Sequence, residues 1–131
     1  MKPFVFLIFP AHGHINPTLP IAKELVGLGR RVIYFATEEV KEKILNTGAE
    51  YRRYRGIGID KKNVGMLWNP VRFFCFLIRA SRLVATAHAG EIAALRPECI
   101  FYDSLMAAGK IIARHLKGAS KNSMKYDTNS E

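Results

Sequence analysis

Phe4-Val5-Phe6-Leu7-Ile8-Phe9 is an unbroken apolar run, and Pro10-Ala11-His12-Gly13-His14-Ile15-Asn16-Pro17 follows it at once. A run this short and this rich in β-forming residues predicts a strand covered on both faces, as in a parallel sheet; a buried helix would need more length. Pro17 sits where the first turn of a helix tolerates a missing N–H, with Asn16 as its candidate N-cap. Leu19, Ala22, Leu25 and Val26 then form a helical stripe that ends near Gly27 and Gly29. Strand, polar turn and helix in this order begin a β-α-β unit.

The rhythm continues. Arg31 to Phe35 reads as a second strand, Thr37 as the cap of a charged helix through Ile44 and Leu45 that Gly48 closes, and Ala49 to Tyr54 as a weaker third strand. After a Gly- and Lys-rich loop from Arg55 to Trp68, the residues Leu67, Val71, Phe74, Ile78, Ser81, Ala85, His88, Ile92 and Leu95 recur at helical spacing and predict one long helix with a single inward seam, with a kink or break expected near Pro70 or Gly90. Arg96-Pro97 stops it, Cys99 to Tyr102 makes a fourth strand, and Leu105, Ala108, Ile112 and Leu116 start another amphipathic helix. Such alternation predicts an α/β fold, a Rossmann-like, doubly wound parallel sheet with right-handed crossovers. No internal repeat is present.

The chain has 131 residues, 49% of them hydrophobic, which is one domain's worth of chain with enough apolar content for a core. Lys2 followed by Phe4 to Phe9 imitates a secretory leader, but the run is shorter than a leader's apolar region and gives way to Pro10, so it reads as a buried first strand. Arg72 and Arg79 bracket the apolar run from Phe73 to Ile78, so no membrane span is expected. Cys75 and Cys99 lie far apart without metal-ligand spacing, and two reduced, buried thiols in a cytoplasmic protein are expected.

Twenty Lys and Arg against 11 Asp and Glu give a formal net charge of +9. The excess lies in two places, Arg52, Arg53, Arg55, Lys61 and Lys62 in one region, and Lys110, Arg114, Lys117, Lys121 and Lys125 along the C-terminal stretch. Helical spacing of Lys110, Arg114 and Lys117 reads as a solvated face, and with no aromatic-interleaved or zinc-finger pattern a nucleic-acid partner is not expected.

In open α/β sheets, ligands bind at the carboxyl ends of the strands, where the topology switches direction. In the order 3-2-1-4, the loop from His12 to Pro17 and Asp103-Ser104 meet at such a point. A His and an Asp brought together make a general-base pair, the carboxylate holding the tautomer and stabilising the imidazolium. The plainer readings are that His14 caps the following helix and that Asp103 caps the one beginning near Ser104. His12-x-His14 lacks a third ligand at a recognisable spacing, so no metal site is expected. His88 is expected inside the helical seam and His115 at the surface. Gly56-Ile57-Gly58-Ile59-Asp60-Lys61 fails the dinucleotide pattern at its last position, and no phosphate-binding G-x-x-x-x-G-K-[ST] or hydrolase G-x-S-x-G occurs.

Phe9 to Pro20, with Lys23-Glu24-Leu25, Arg31 to Phe35, Ala36-Thr37-Glu38-Glu39, Thr47-Gly48-Ala49-Glu50, Arg96 to Ser104 and Gly109-Lys110, closely resembles the start of UDP-sugar-dependent glycosyltransferases of the GT-B fold, most nearly the bacterial macrolide-glycosyltransferase branch. The resemblance covers roughly Lys2 to Leu116. It implies that His14 is the general base for an acceptor hydroxyl, that Asp103 orients and charges it, and that the hydroxyl oxygen displaces UDP from the sugar with inversion. It implies a small hydrophobic acceptor touched by His12, Gly13, Ile15, Asn16 and Phe74, with Phe73, Phe76 and Leu77 as further candidates that otherwise serve core packing. UDP-sugar enters as co-substrate, with no cofactor and no metal. The family continues after the last helix with a further strand and a C-terminal UDP-sugar domain. The polar stretch from Gly118 stands where that strand is expected, as a frameshift, an early stop or a deliberate truncation would produce. Residues 1–117 are thus expected to be a partial N-terminal, acceptor-binding domain, inactive alone, and 118–131 a disordered polar tail. The alternative is a non-catalytic Rossmann-like module that binds a small molecule without turnover.

Overall fold

The computed structural model describes residues 2–9, 12–55, 68–103 and 107–119, with backbone alone at His12, Ala107, Gly118 and Ala119. The Gly-rich loop with Lys61 and Lys62, Leu67, Ser104, Leu105 and residues 120–131 lie outside the described residues. The elements are β1 (Phe4–Leu7), α1 (His12–Ile15), a 3-10 turn (Asn16–Thr18), α2 (Leu19–Gly27), β2 (Val32–Ala36), a second 3-10 turn (Glu38–Val40), α3 (Lys41–Leu45), β3 (Glu50–Arg53), α4 (Pro70–Leu95), β4 (Cys99–Tyr102) and α5 (Ala107–Ala119). The strands pair in parallel in the order β3-β2-β1-β4, with Phe4 opposite both Val32 and Cys99.

The apolar run of β1 is double-sided for a physical reason. Successive side chains point to opposite faces. Val5, Leu7 and Phe9 enter a core with Ile33, Phe35, Val84, Ile92, Ile112 and Leu116, under α4 and α5. Phe6 and Ile8 enter a second core with Ile15, Ala22, Tyr34, Val40 and Ile44, under α2 and α3. The first two crossovers therefore lie on one face and the last on the other, as a single hand of crossover requires when the chain reverses its direction of travel across the sheet.

Several local expectations are corrected. Asn16 caps nothing: it lies within the 3-10 turn, and the cap positions at Ile15, Thr18 and Thr37 carry no side-chain cap bond. Helix α4 begins at Pro70, where Asn69 Oδ1 accepts from the N–H groups of Val71 and Arg72 at 3.1 and 3.3 Å, and runs unbroken through Gly90. Its seam also differs. Ala80, Ser81, Val84, Ala85, His88 and Ile92 are buried, with Phe73, Phe76 and Leu77 packed beside them, whereas Val71, Phe74 and Ile78 face outward at 72, 63 and 48% exposure. The first three turns of α4 carry apolar residues on both sides, so spacing alone chose the wrong stripe. Cys75 is exposed on that outer side and Cys99 is half-buried; both are free thiols. Helix α5 extends through Gly118 and Ala119, past the expected boundary. Lys110, Arg114 and Lys117 are exposed on it, as a solvated face requires.

Two glycines are there for space. Gly48 has φ +87°, and a Cβ on it would come within 2.7 Å of Val26. A Cβ on Gly109 would strike the Tyr102 side chain, which is how closely α5 lies on β4.

The arginines expected in one basic loop are divided by the structure. Arg52 and Arg55 both pair with Glu91 of α4, while Arg53 is exposed. His88, 1% exposed, stands edge-on to the rings of Phe35 and Tyr54, accepts the Arg55 N–H on Nε2 at 2.9 Å and places Nδ1 3.2 Å from Glu91. Nε2 is an acceptor here, so the neutral ring carries its proton on Nδ1 and donates it to the carboxylate. Burial pulls His88 below its usual 6.5; Glu91 opposes this and Arg55 reinforces it. The unfolded chain then takes up a proton first as the pH falls, so folding stability should drop from about pH 6.5 downward. Burial pushes Glu91 up, but its bonds to His88 and Arg52 outweigh this and leave it below 4.5, so its own loss of stability comes at lower pH. Urea titrations between pH 7 and 5 should show the decline in the wild type and a flatter profile in His88→Gln; equal slopes would refute the assignment.

Candidate active site at the β1–β4 switch

Because all four strands are parallel, their carboxyl ends share one edge of the sheet. From β1 the chain leaves toward β2, whereas β4 lies on the other side of β1, so the carboxyl ends of β1 and β4 form the switch point at which ligands bind in open α/β sheets. Ile8 and Phe9 prolong β1, and after Pro10-Ala11 the single turn of α1 carries His14. Asp103 is the first residue beyond β4.

The two side chains meet: His14 Nδ1 lies 2.8 Å from Asp103 Oδ2, the histidine 36% and the aspartate 19% exposed. The Phe9 N–H donates to the same Oδ2 at 3.2 Å. An ionised carboxylate only accepts, so the hydrogen between the pair belongs to Nδ1, and the lone pair of a neutral imidazole is then on Nε2. Aromatic contacts steady the ring. Phe9 stands edge-on to His14 with centroids 5.6 Å apart, and Phe73 of α4 stands edge-on to Phe9 at 6.4 Å.

The expected acceptor contacts are distributed unevenly. Gly13 is exposed beside His14, and His12 begins α1. Ile15 is 0% exposed within the core under α2, since one step along the helix from His14 turns its side chain toward the sheet. That burial corrects its assignment as an acceptor contact. Asn16 is exposed, and its Oδ1 accepts from Lys43 Nζ of α3 at 3.4 Å. Phe74 points outward from α4, so the aromatic next to the pair is Phe73, through Phe9. Among the described residues, no group of three or more His, Cys, Asp or Glu could hold a metal, and no helix is long and apolar enough to cross a membrane.

Thr18 and Tyr34 were not legible as part of this region. Thr18 Oγ1 donates to the Ile15 carbonyl at 2.7 Å and is hydrogen-bonded to the Tyr34 hydroxyl. Burial pushes the Tyr34 phenol up to about 12, the Asp103 charge adds to this, and the Thr18 bond works against it. The one sequence signal was a hydroxyl inside the otherwise apolar Val32 to Ala36.

No protein-family model matches the chain. It is 34% identical over 113 residues to the UDP-glucosyltransferase YojK of Bacillus subtilis (strain 168), covering 83% of this chain and 28% of that protein. It is 31% identical over 110 residues to the oleandomycin glycosyltransferase of Streptomyces antibioticus, covering 79% of this chain and 25% of the relative. Among solved structures, the calicheamicin glycosyltransferase CalG4 superposes with a TM-score of 0.70 at 19% identity, over 89% of this chain and 30% of that one. SnogD from Streptomyces nogalater gives 0.69 at 20% identity, over 88% and 32%. The chain thus spans about a quarter to a third of the length of the proteins it matches. Sequence and fold agree that it is homologous to the N-terminal part of glycosyltransferases of the GT-B fold, UDP-glucosyltransferases and macrolide glycosyltransferases among them.

Proposed function

We propose that this chain forms the acceptor-side, base-carrying part of a UDP-sugar-dependent glycosyltransferase. The observation that supports the reading is the 2.8 Å contact between His14 and Asp103 at the switch point of the sheet. Asp103 holds the Nδ1 hydrogen, and Nε2 takes the proton of an acceptor hydroxyl as the oxygen attacks the anomeric carbon. The new C–O bond forms while the bond from that carbon to the UDP oxygen breaks; UDP leaves with the electron pair, and the configuration inverts. Asp103 stabilises the imidazolium that results. The acceptor in this reading is a small hydrophobic molecule bearing a hydroxyl, placed against His14 and the Phe9–Phe73 aromatics.

The test is a chimaera in which residues 2–119 replace the matching segment of a UDP-glucosyltransferase relative, assayed with UDP-glucose and a phenolic acceptor. It should make the glucoside, and His14→Ala should lower kcat by about 10²–10⁴. A loss of less than threefold in a folded variant would defeat the base role. The 131-residue chain alone, which spans 28% of the first relative's length, should bind acceptor without transfer; a glucoside made by it alone would overturn this division of labour.

A further inference from the structure

Helix α1 is one turn, four residues from His12 to Ile15, with no acidic residue in its first turn. A single turn does not sustain itself, because nucleation fixes several residues for a single hydrogen bond, and this one leads through the 3-10 turn Asn16–Thr18 into α2, with Ile15 buried beneath it. Its angle, and so the direction of the His14 imidazole, must be set from outside. We infer that Thr18 and Tyr34 are the positioning residues that set it, an inference that rests on His14 being the base.

The hydrogen-bond directions follow from the inventory of hydrogens. Thr18 has one hydroxyl hydrogen, and it goes to the Ile15 carbonyl at 2.7 Å. The Tyr34 hydroxyl must therefore be the donor to Thr18 Oγ1. The resulting chain runs from Tyr34 OH through Thr18 Oγ1 to the main-chain carbonyl one residue after His14. Its fixed end is firm, since Tyr34 is 0% exposed in β2 and its ring lies flat against Phe6, with centroids 5.1 Å apart and planes within 8°. Burial and the nearby Asp103 charge keep the phenol protonated, hence a donor, throughout the neutral range. The Lys43–Asn16 bond on the outer side of the same turn is exposed and longer, at 3.4 Å, and is the weaker strut. The buried Ile15 side chain keeps α1 on the sheet, but without the Tyr34–Thr18 link the turn loses the bond that fixes its angle, and Nδ1 can leave Asp103.

The test reads the His14 ring in the full 131-residue chain by imidazole ¹⁵N NMR. The wild type should show the Nδ1–H tautomer imposed by Asp103. Thr18→Val and Tyr34→Phe, the latter removing a single oxygen, should shift the ring toward the Nε2–H tautomer that free imidazole favours, with amide spectra unchanged away from residues 12–19. Thr18→Ser should restore it. In the chimaera, Thr18→Val should lower kcat about 10- to 100-fold while KM stays within twofold, again with recovery in Thr18→Ser. His14 resonances that match the wild type in both variants, or no recovery with serine, would overturn the inference and leave the base role standing. Full activity of His14→Ala would instead overturn the base role, whatever the tautomer does.

Discussion

Asp103→Asn in the chimaera should lower kcat by roughly 10³–10⁴, the scale on which charge and tautomer control by a paired carboxylate operate in His–Asp catalysis. Asp103 Oδ2 serves two donors, His14 Nδ1–H and Phe9 N–H. An asparagine can meet them in two ways, and both are damaging. With its amide nitrogen in the Oδ2 position, it faces the Phe9 N–H donor to donor and leaves Nδ1 as acceptor. The ring proton then moves to Nε2, the atom that takes the acceptor proton in the proposed mechanism. With its amide oxygen there, the geometry survives, but the imidazolium that the proposed mechanism forms has lost its counter-charge. Steady-state assays at saturating acceptor, alongside the imidazole spectrum, separate the two outcomes. A kcat within threefold of the wild type would remove Asp103 from the mechanism.

Phe6→Ala should cost about 3–5 kcal/mol of folding stability, a large share of the roughly 5–15 kcal/mol of an ordinary domain. Phe6 is fully buried on the central strand β1. The register puts it opposite Tyr34 on one side and Phe101 on the other, and the three rings stack as a row across three strands, with centroids 5.1 and 4.6 Å from Phe6. Alanine leaves a cavity in the middle of that row, which strands held by two ladders cannot close, and stacking adds about 0.5–1.5 kcal/mol per pair to the burial lost. The urea midpoint should fall with little change in the slope, whereas Phe6→Leu should retain most of the stability. A cost below about 1 kcal/mol would mean that the row repacks.

The sheet was readable from the sequence because β1 and the loop after it combine signals that agree: a short double-sided apolar run, a proline at the helix start and glycines at its end. The His14–Asp103 meeting followed from topology, since the order 3-2-1-4 puts the ends of β1 and β4 side by side. Where two answers had equal periodicity, the reading failed. Val71, Phe74 and Ile78 are as apolar as Phe73, Phe76 and Leu77, and only the sheet beneath α4 decides which set turns inward. The Thr18–Tyr34 link and the Arg52–Glu91 and Arg55–Glu91 pairs join residues 16 to 39 positions apart, on elements whose relative placement no local pattern encodes.

The parallel pairing of β1 also orders events during synthesis. Phe4 finds its β2 partner, Val32, 28 residues along, but its β4 partner, Cys99, 95 residues along. Closing the longer loop costs about 1 kcal/mol more in chain entropy and leaves one edge of β1 uncovered until β4 has emerged. His14 and Asp103 come into contact only when that second edge is sealed. The pair is therefore a built-in marker of the joining of β4 to β1: a chain that stalls before β4 docks presents an open edge of β1 to its neighbours and, by the same fault, leaves His14 without Asp103.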